Sequence, residues 1–329
     1  MDIFLSYLEF LLRAFTVFFL IAILLLISKK KKPTTEQIQF KSMNSELRDK
    51  KLTAAKTILG KKFKSFAKIE ATKRKQEASN ILDRVFVIDF KGDIMAKGVT
   101  ELREQITLIL SLANSTDEVV IRLSSPGGTV SGYGLCAAQL TRVRNQGLTL
   151  TVCVDEVAAS GGYMMAATGS KILAAPFAII GSIGVVLETV NLNKLLKNHD
   201  IDYEQITAGK FKRTVSKLGE ITPSSREKAK EDITKIHEQF KSLIKKFRPT
   251  LSIDEVATGE IWSAETALEH GLVDALSTSD EYLCEMVNKK NVYLVQSSKK
   301  KTFAQKLGFS VRSIMDELTD YISNRGTQL

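Results

Sequence analysis

Two short runs of this chain pair a serine with consecutive glycines: Ser124-Ser125-Pro126-Gly127-Gly128 and Ala158-Ala159-Ser160-Gly161-Gly162. A serine set between small residues can be approached closely by a carbonyl carbon. Paired glycines let backbone N–H groups turn toward a developing oxyanion without a Cβ in the way. Each run also has a plainer meaning, since Pro-Gly-Gly is an ordinary turn and Ser160 an ordinary helix N-cap. Placed after successive strands, the two together point to acyl transfer, with one turn carrying the nucleophile and the other an oxyanion donor.

A serine nucleophile needs a base, and the three histidines are poor choices. His199 lies in the charged stretch Lys197-Asn198-His199-Asp200, His237 stands among Lys235 and Glu238, and His270 precedes Gly271, where a histidine commonly ends a helix. Each reads as structural or solvated. A lysine can replace histidine if apolar surroundings bring its pKa from about 10.4 toward neutrality. The run Thr207-Ala208-Gly209-Lys210-Phe211-Lys212 offers two lysines, and chemistry alone does not separate Lys210 from Lys212. Three cysteines (Cys136, Cys153 and Cys284) make no disulfide framework, and no residues have metal-ligand spacing. There is no phosphate-binding Gly-Lys-Ser/Thr loop. No metal or cofactor is expected.

The elements that must position these residues emerge from periodicity. Short apolar runs at 85–90, 119–123, 148–154 and 171–174 read as strands, and further strands are expected at 185–191 and 203–207. Helical spacing covers 99–112, 131–145, 163–168, 223–247 and 263–270. Thr222 and Pro223 supply the start of the fourth of these. Strands alternating with helices predict an α/β fold with mainly parallel pairing. The apolar stretch 173–187 is too short and too rich in Pro and Gly for a membrane span and reads as buried core.

Residues 3–27 are almost continuously apolar, broken by Glu9 and Arg13. At 1.5 Å per residue they reach roughly 35–40 Å, enough to cross a bilayer. An acidic start and the cluster Lys29–Lys32 favour an uncleaved anchor over a signal peptide. Those lysines favour the cytoplasmic side for residues 29 onward. Residues 29–80 carry 16 Lys and Arg against five Asp and Glu, which accounts for the whole-chain net charge of +10. Beside a membrane segment such a stretch suits anionic headgroups better than nucleic acid. Residues 46–77 have a helical apolar stripe of Leu47, Leu52, Ile58, Leu59, Phe63 and Phe66. The expected layout is an anchor over 1–28, a basic and partly helical linker over 29–80, a catalytic domain over 81–290, and a C-terminal strand with a basic amphipathic tail over 291–329.

From residue 85 to 283 the chain resembles the signal peptide peptidase A family of serine peptidases, most closely its SohB branch. The resemblance rests on five blocks in order: Ser124–Gly128, Ala158–Tyr163, Gly181–Gly184, Thr207–Lys212, and the run GEIWSAETALEHGLVD at 259–274. It implies a ClpP/crotonase-type fold of repeated ββα units, a membrane-anchored serine endopeptidase and a Ser–Lys dyad. Ser160 then matches the nucleophile and Lys212, rather than Lys210, the general base. Ser182 matches the serine that orients that lysine, and the N–H groups of Gly128 and Gly161 match the oxyanion hole. The resemblance also implies a homo-oligomeric ring with sites near protomer contacts, peptide substrates and a place in the bacterial inner membrane. Arg213 departs from the acidic residue that many members carry after the base. Two alternatives remain: a crotonase-like acyl-CoA enzyme, which needs no serine at 160, and a catalytically silent membrane scaffold.

Overall fold

The computed structural model describes residues 6–8, 10–19, 37–79 and 83–298. The chain forms two compact units, one made of Met1–Gln37 with Ser297–Leu329 and the other of Ile38–Gln296. In the first unit, residues 10–19 are helical, and Phe10, Leu12, Phe15 and Phe18 all stand largely exposed. Among the described residues no helix is long and apolar enough to cross a membrane. The remainder of the expected anchor, Lys29–Lys32 and the tail at 299–329 lie outside the described residues.

The second unit is built on a sheet whose strands run β1 (Gln37–Ser42), β10 (Asn291–Ser298), β2 (Arg84–Lys91), β3 (Glu118–Ser124), β4 (Thr149–Val154), β6 (Lys171–Ala174) and β9 (Ala275–Leu276). From β10 to β9 every pairing is parallel. Strands covered on both faces read as unbroken apolar runs, and β2 shows why. Phe86, Ile88 and Phe90 enter the larger core, while Val85 and Val87 enter a smaller one with Leu283 and Met286. Helices α3 (Val99–Leu112) and α4 (Val130–Asn145) fill the crossovers β2–β3 and β3–β4. They add Leu102, Ile106, Ile109, Cys136, Leu140 and Val143 to the larger core.

A second, three-stranded sheet, ordered β5 (Val157–Ala159), β7 (Ile179–Gly181) and β8 (Ile261–Ser263), carries the turns of interest. The chain passes from β4 into short β5 and then into α5 (Gly161–Ala166). This is the strand–strand–helix step expected of the fold, and β6 hands over to β7 in the same way.

Several expectations need correction. Residues 46–77 are helical as expected, but in two pieces. They form α1 (Met43–Leu59) and α2 (Phe63–Ser79), joined by a single 3-10 turn at Gly60, whose φ of 50° suits glycine. The segment 37–42, expected in the linker, is a strand of the main sheet. Asn44 fastens it there by donating to the carbonyls of Val287 and Lys290 and accepting from Val292 N–H. The strands expected at 185–191 and 203–207 do not form. Those residues carry no regular structure and expose Val186, Val190 and Ile206. An apolar alternation stays a strand only where another strand takes its hydrogen bonds. Between these stretches lies a short helix, α6 (Asn193–Asn198). Helix α7 (Pro223–Phe247) has the expected bounds, with Thr222 Oγ1 accepting from Ser225 N–H as its N-cap.

Candidate active site

Strands β5 and β7 run parallel with Ala159 opposite Gly181, so both leave the sheet at a serine. Ser160 N–H donates to Gly181 O at 2.8 Å, and Ser182 N–H donates to Glu260 O at 2.6 Å. Both serines have positive φ, 51° and 52°. A side chain is strained there and persists only where its surroundings dictate it. Ser160 joins β5 to α5, a strand–turn–helix geometry that presents a hydroxyl. It occupies the N-cap position of α5, but its side chain makes no capping hydrogen bond. The plainer reading of Ser160 as a helix cap therefore fails, and the hydroxyl is left for other work. Every residue of α5 is buried. Tyr163 donates its hydroxyl to Leu272 O at 2.9 Å, which fixes the wall behind the turn.

The Pro-Gly-Gly turn is pressed against this bend. Ser125 N–H donates to Val157 O at 2.8 Å, and its carbonyl accepts Ala159 N–H at 3.0 Å. Gly127, at φ 90°, approaches so closely that a Cβ would sit 2.7 Å from Ser160 Cβ. A Cβ on Gly161 would enter the Tyr133 ring, and one on Gly128 would run into the backbone of Ile94. These glycines are required by close approach. The Gly128 N–H has no protein acceptor among the described residues. The Gly161 N–H is in the first turn of a helix, where the helix itself offers no acceptor.

Two residues that sequence reasoning did not single out hold the turn. Ser125 Oγ accepts from Gly127 N–H at 3.1 Å and lies 2.6 Å from the Tyr133 hydroxyl, which donates to Asp93 O at 2.8 Å. With the phenolic proton on Asp93, Ser125 is the donor to Tyr133. Burial raises the Tyr133 pKa, so the phenol keeps that proton. Ser125 stands inside a recognisable motif, but Tyr133 has no local signal beyond its place on a helix face.

Ser160, Ser182, Gly128 and Gly161 all line one cleft of about 630 Å³. Its walls are Val130, Met164, Val185 and Val186 together with Ile236, Phe240 and Leu243 from α7. Among the described residues no Asp, Glu, Lys or Arg lines it. Such surroundings favour a neutral amine over an ammonium. His237, read from sequence as structural or solvated, also faces this cleft, with Nε2 3.2 Å from Ile183 O. A ring nitrogen that donates to a carbonyl cannot also accept a proton.

Lys212 does not join these four. It is exposed, in a turn where its N–H donates to Gly209 O at 3.1 Å, and it is absent from the cleft lining. Lys210 lies over the Phe211 ring, 5.2 Å from its centroid. His199 comes directly after α6 in an exposed turn, and His270 ends α9 (Ala264–Glu269) against Trp262, with ring centroids 5.3 Å apart. The buried thiols are no rivals to Ser160, because burial pushes Cys136 up to about 11 and Cys153 up to about 12.

Residues 142–293 match the family model described as Peptidase family S49, and residues 2–140 match Peptidase family S49 N-terminal. The chain is 50% identical over 224 residues to the Haemophilus influenzae protein named "Probable protease SohB", a stretch covering 68% of this chain and 64% of that protein. Its likeness to two Buchnera aphidicola proteins of the same name extends over nearly their whole length. One, from subspecies Schlechtendalia chinensis, is 41% identical over 302 residues, covering 86% of this chain and 99% of that one. The other, from Schizaphis graminum, is 40% identical over 340 residues, covering 98% and 99%.

Proposed function

The chain belongs to peptidase family S49 and is a serine-type peptidase, and we propose that it cleaves peptides with a Ser160–Lys212 dyad while anchored to a membrane. The observation that carries the proposal is the pair of serines at positive φ beside a charge-free, glycine-lined cleft. In the proposed reaction, neutral Lys212 Nζ takes the proton of Ser160 Oγ as that oxygen attacks the scissile carbonyl. The oxyanion is held by the N–H groups of Gly128 and Gly161, and Ser182 orients the amine. The Lys212 ammonium then protonates the leaving amine as the C–N bond breaks. Water, deprotonated by the same lysine, releases the acyl group and restores Ser160. The apolar cleft favours extended apolar peptides, such as signal-peptide remnants or fragments of membrane proteins.

The dyad is proposed to form between protomers of a homo-oligomeric ring. Lys212 stands apart from the cleft of its own chain, and its segment exposes Leu187, Val190, Leu195, Ile201, Ile206 and Phe211. Exposed apolar groups gathered in one segment mark a surface that another molecule covers. Membrane attachment is supported by the apolar sequence 3–27 and the exposed apolar helix at 10–19. Lys29–Lys32 favour the cytoplasmic face for the peptidase domain.

The test is peptidase turnover by detergent-solubilised protein beside Ser160→Ala and Lys212→Ala. Both variants lose nearly all turnover while staying folded. When the two are mixed and reassembled, a dyad shared between chains restores roughly a quarter of the wild-type sites, as random pairing across a heterologous interface requires. No recovery on mixing, with subunit exchange shown by a second label, places both groups in one chain. Full activity of Lys212→Ala overturns the dyad.

A further inference from the structure

Helices α1 and α2 form an arm whose two ends differ in chemistry. Its base is held by Asn44, through its bonds to Val287, Lys290 and Val292. Along its length Lys51 clamps the two helices, bonding Glu70 at 2.8 Å and lying over the Phe66 ring. The acidic Glu46 is likewise matched, by Lys41 and Lys50 at 2.8 Å each. Toward the bend this matching stops. Residues 56–68 contain five lysines, Lys56, Lys61, Lys62, Lys64 and Lys68, and no Asp or Glu. All five are exposed, and none has an ion-pair partner among the described residues. In their midst Ile58 is 78% exposed. With 17 residues in each helix, the arm is about 25 Å long.

We propose that the tip of this arm docks on an anionic lipid surface, with the five lysines among the headgroups and Ile58 reaching the acyl boundary. Charge alone would also suit a nucleic acid, whose phosphates bind lysines equally well. The isoleucine decides between them. An exposed aliphatic side chain in a lysine-rich segment gains nothing from a phosphate backbone, and no exposed aromatic ring stands at the bend to stack on bases. A membrane interface rewards both features at once, because headgroup attraction and burial of apolar area act at one depth. Lysines projected from one short bend also repel one another, which an anionic surface relieves. The inference rests on the chemistry of the tip and does not require residues 3–27 to span the bilayer.

The test places an environment-sensitive fluorophore on Ile58→Cys in the full chain, on a Cys284→Ser background. Cys136 and Cys153 are buried and do not compete for the label. Reconstituted into phosphatidylcholine vesicles containing one third phosphatidylglycerol, the label shifts to the blue, and high salt reverses the shift. In pure phosphatidylcholine it stays at its aqueous wavelength. The triple variant Lys61→Glu/Lys62→Glu/Lys64→Glu lowers the docked-to-free ratio by roughly a hundredfold and leaves hydrolysis of a soluble peptide unchanged. Emission that is aqueous in both vesicle types overturns the proposal. So does a shift that appears without lipid as protein concentration rises, which marks a second copy, or one produced by RNA and not by vesicles. Sedimentation separates the two membrane readings. A chain that pellets with neutral and anionic vesicles alike while residue 58 stays wet in both keeps its anchor and loses this site. A chain that pellets only with anionic vesicles and shows the shift keeps the site and loses the anchor.

Discussion

The residues on either side of position 184 are built on opposite principles. Up to Gly184 the site is over-determined. Ser160 and Ser182 sit at positive φ with their N–H groups donating to Gly181 O and Glu260 O, and Gly127 and Gly161 touch what lies behind them with no room for a methyl group. Beyond it, residues 185–222 carry one short helix, no strand and a run of exposed apolar side chains. Yet that second region holds the lysine that the family resemblance assigns as base. A nucleophile and its oxyanion donors must be fixed within a fraction of an ångström before the substrate arrives. A base delivered by a neighbouring surface can be withheld until that surface docks. On this reading one chain carries a finished half-site, and assembly is where catalysis is switched on.

Several measurements would overturn or refine this division. The largest effect belongs to Ser160→Ala, which should cut kcat by roughly ten-thousandfold or more with an unchanged circular dichroism spectrum. A large residual turnover would move the chemistry elsewhere in the cleft. Next come Lys212→Ala and Lys212→Arg, both expected to lose about a thousandfold or more, since an arginine cannot give up its proton. His237→Ala should cost only about tenfold, through the carbonyl it holds. Reversing the order of Lys212 and His237 in steady-state assays would make the histidine the base and place the complete site in one chain. Gly161→Ala should lower kcat by about a hundredfold through a displaced N–H donor, and cost roughly 1–3 kcal/mol in denaturant titration because the methyl group enters the Tyr133 ring. Tyr133→Phe removes the bonds to Ser125 and Asp93 and should cost about 1–2 kcal/mol with a several-fold loss of turnover. An effect on stability without one on turnover would separate the turn from the oxyanion hole.

The smallest effect lies away from the cleft and tests only the rigid region. Asp117 is buried, which alone would raise its pKa. Its hydrogen bonds from the Arg84 guanidinium and from the N–H groups of Asn114 and Arg84 outweigh burial and hold it below the ordinary carboxylate value. A carboxylate lowered on folding stabilises the native state above its unfolded pKa of about 3.9, and that stability is lost as pH falls through the folded value. Thermal melts should therefore show Asp117→Asn less stable than wild type at neutral pH, with the gap narrowing below about pH 4.

Much of the rigid half could be read from residue order alone. The runs at 85–90 and 119–123 are apolar on both faces, apart from the Asp89–Arg122 pair, because a core cluster covers each face. Thr222 and Pro223 announce the start of α7, and three of the five blocks supply Gly128, Ser160, Gly161 and Ser182, which line one cleft. What could not be read depends on partners distant in sequence. Tyr133 matters through Ser125 and Asp93, contacts no spacing rule encodes. His237 stands among charged neighbours in sequence, and only the folded chain brings it to the Ile183 carbonyl just after β7. Residues 185–191 have a strand's alternation, but a strand also needs a neighbour to take its hydrogen bonds. The bend at Gly60 was hidden because lysines continue on both sides, and helix period alone does not reveal where a helix turns back.

The position of β10 between β1 and β2 constrains how the protein can be made. Strand β1 leaves the ribosome roughly 250 residues ahead of the strand it pairs with, at translation rates of about 5–20 residues per second a wait of some 10–50 s. Once β2 and β3 have paired, the nascent sheet keeps an open border at β2 until β10 arrives. A ribosome that stalls or terminates before residue 291 releases a chain with that border uncovered, a sticky product that quality control has to remove.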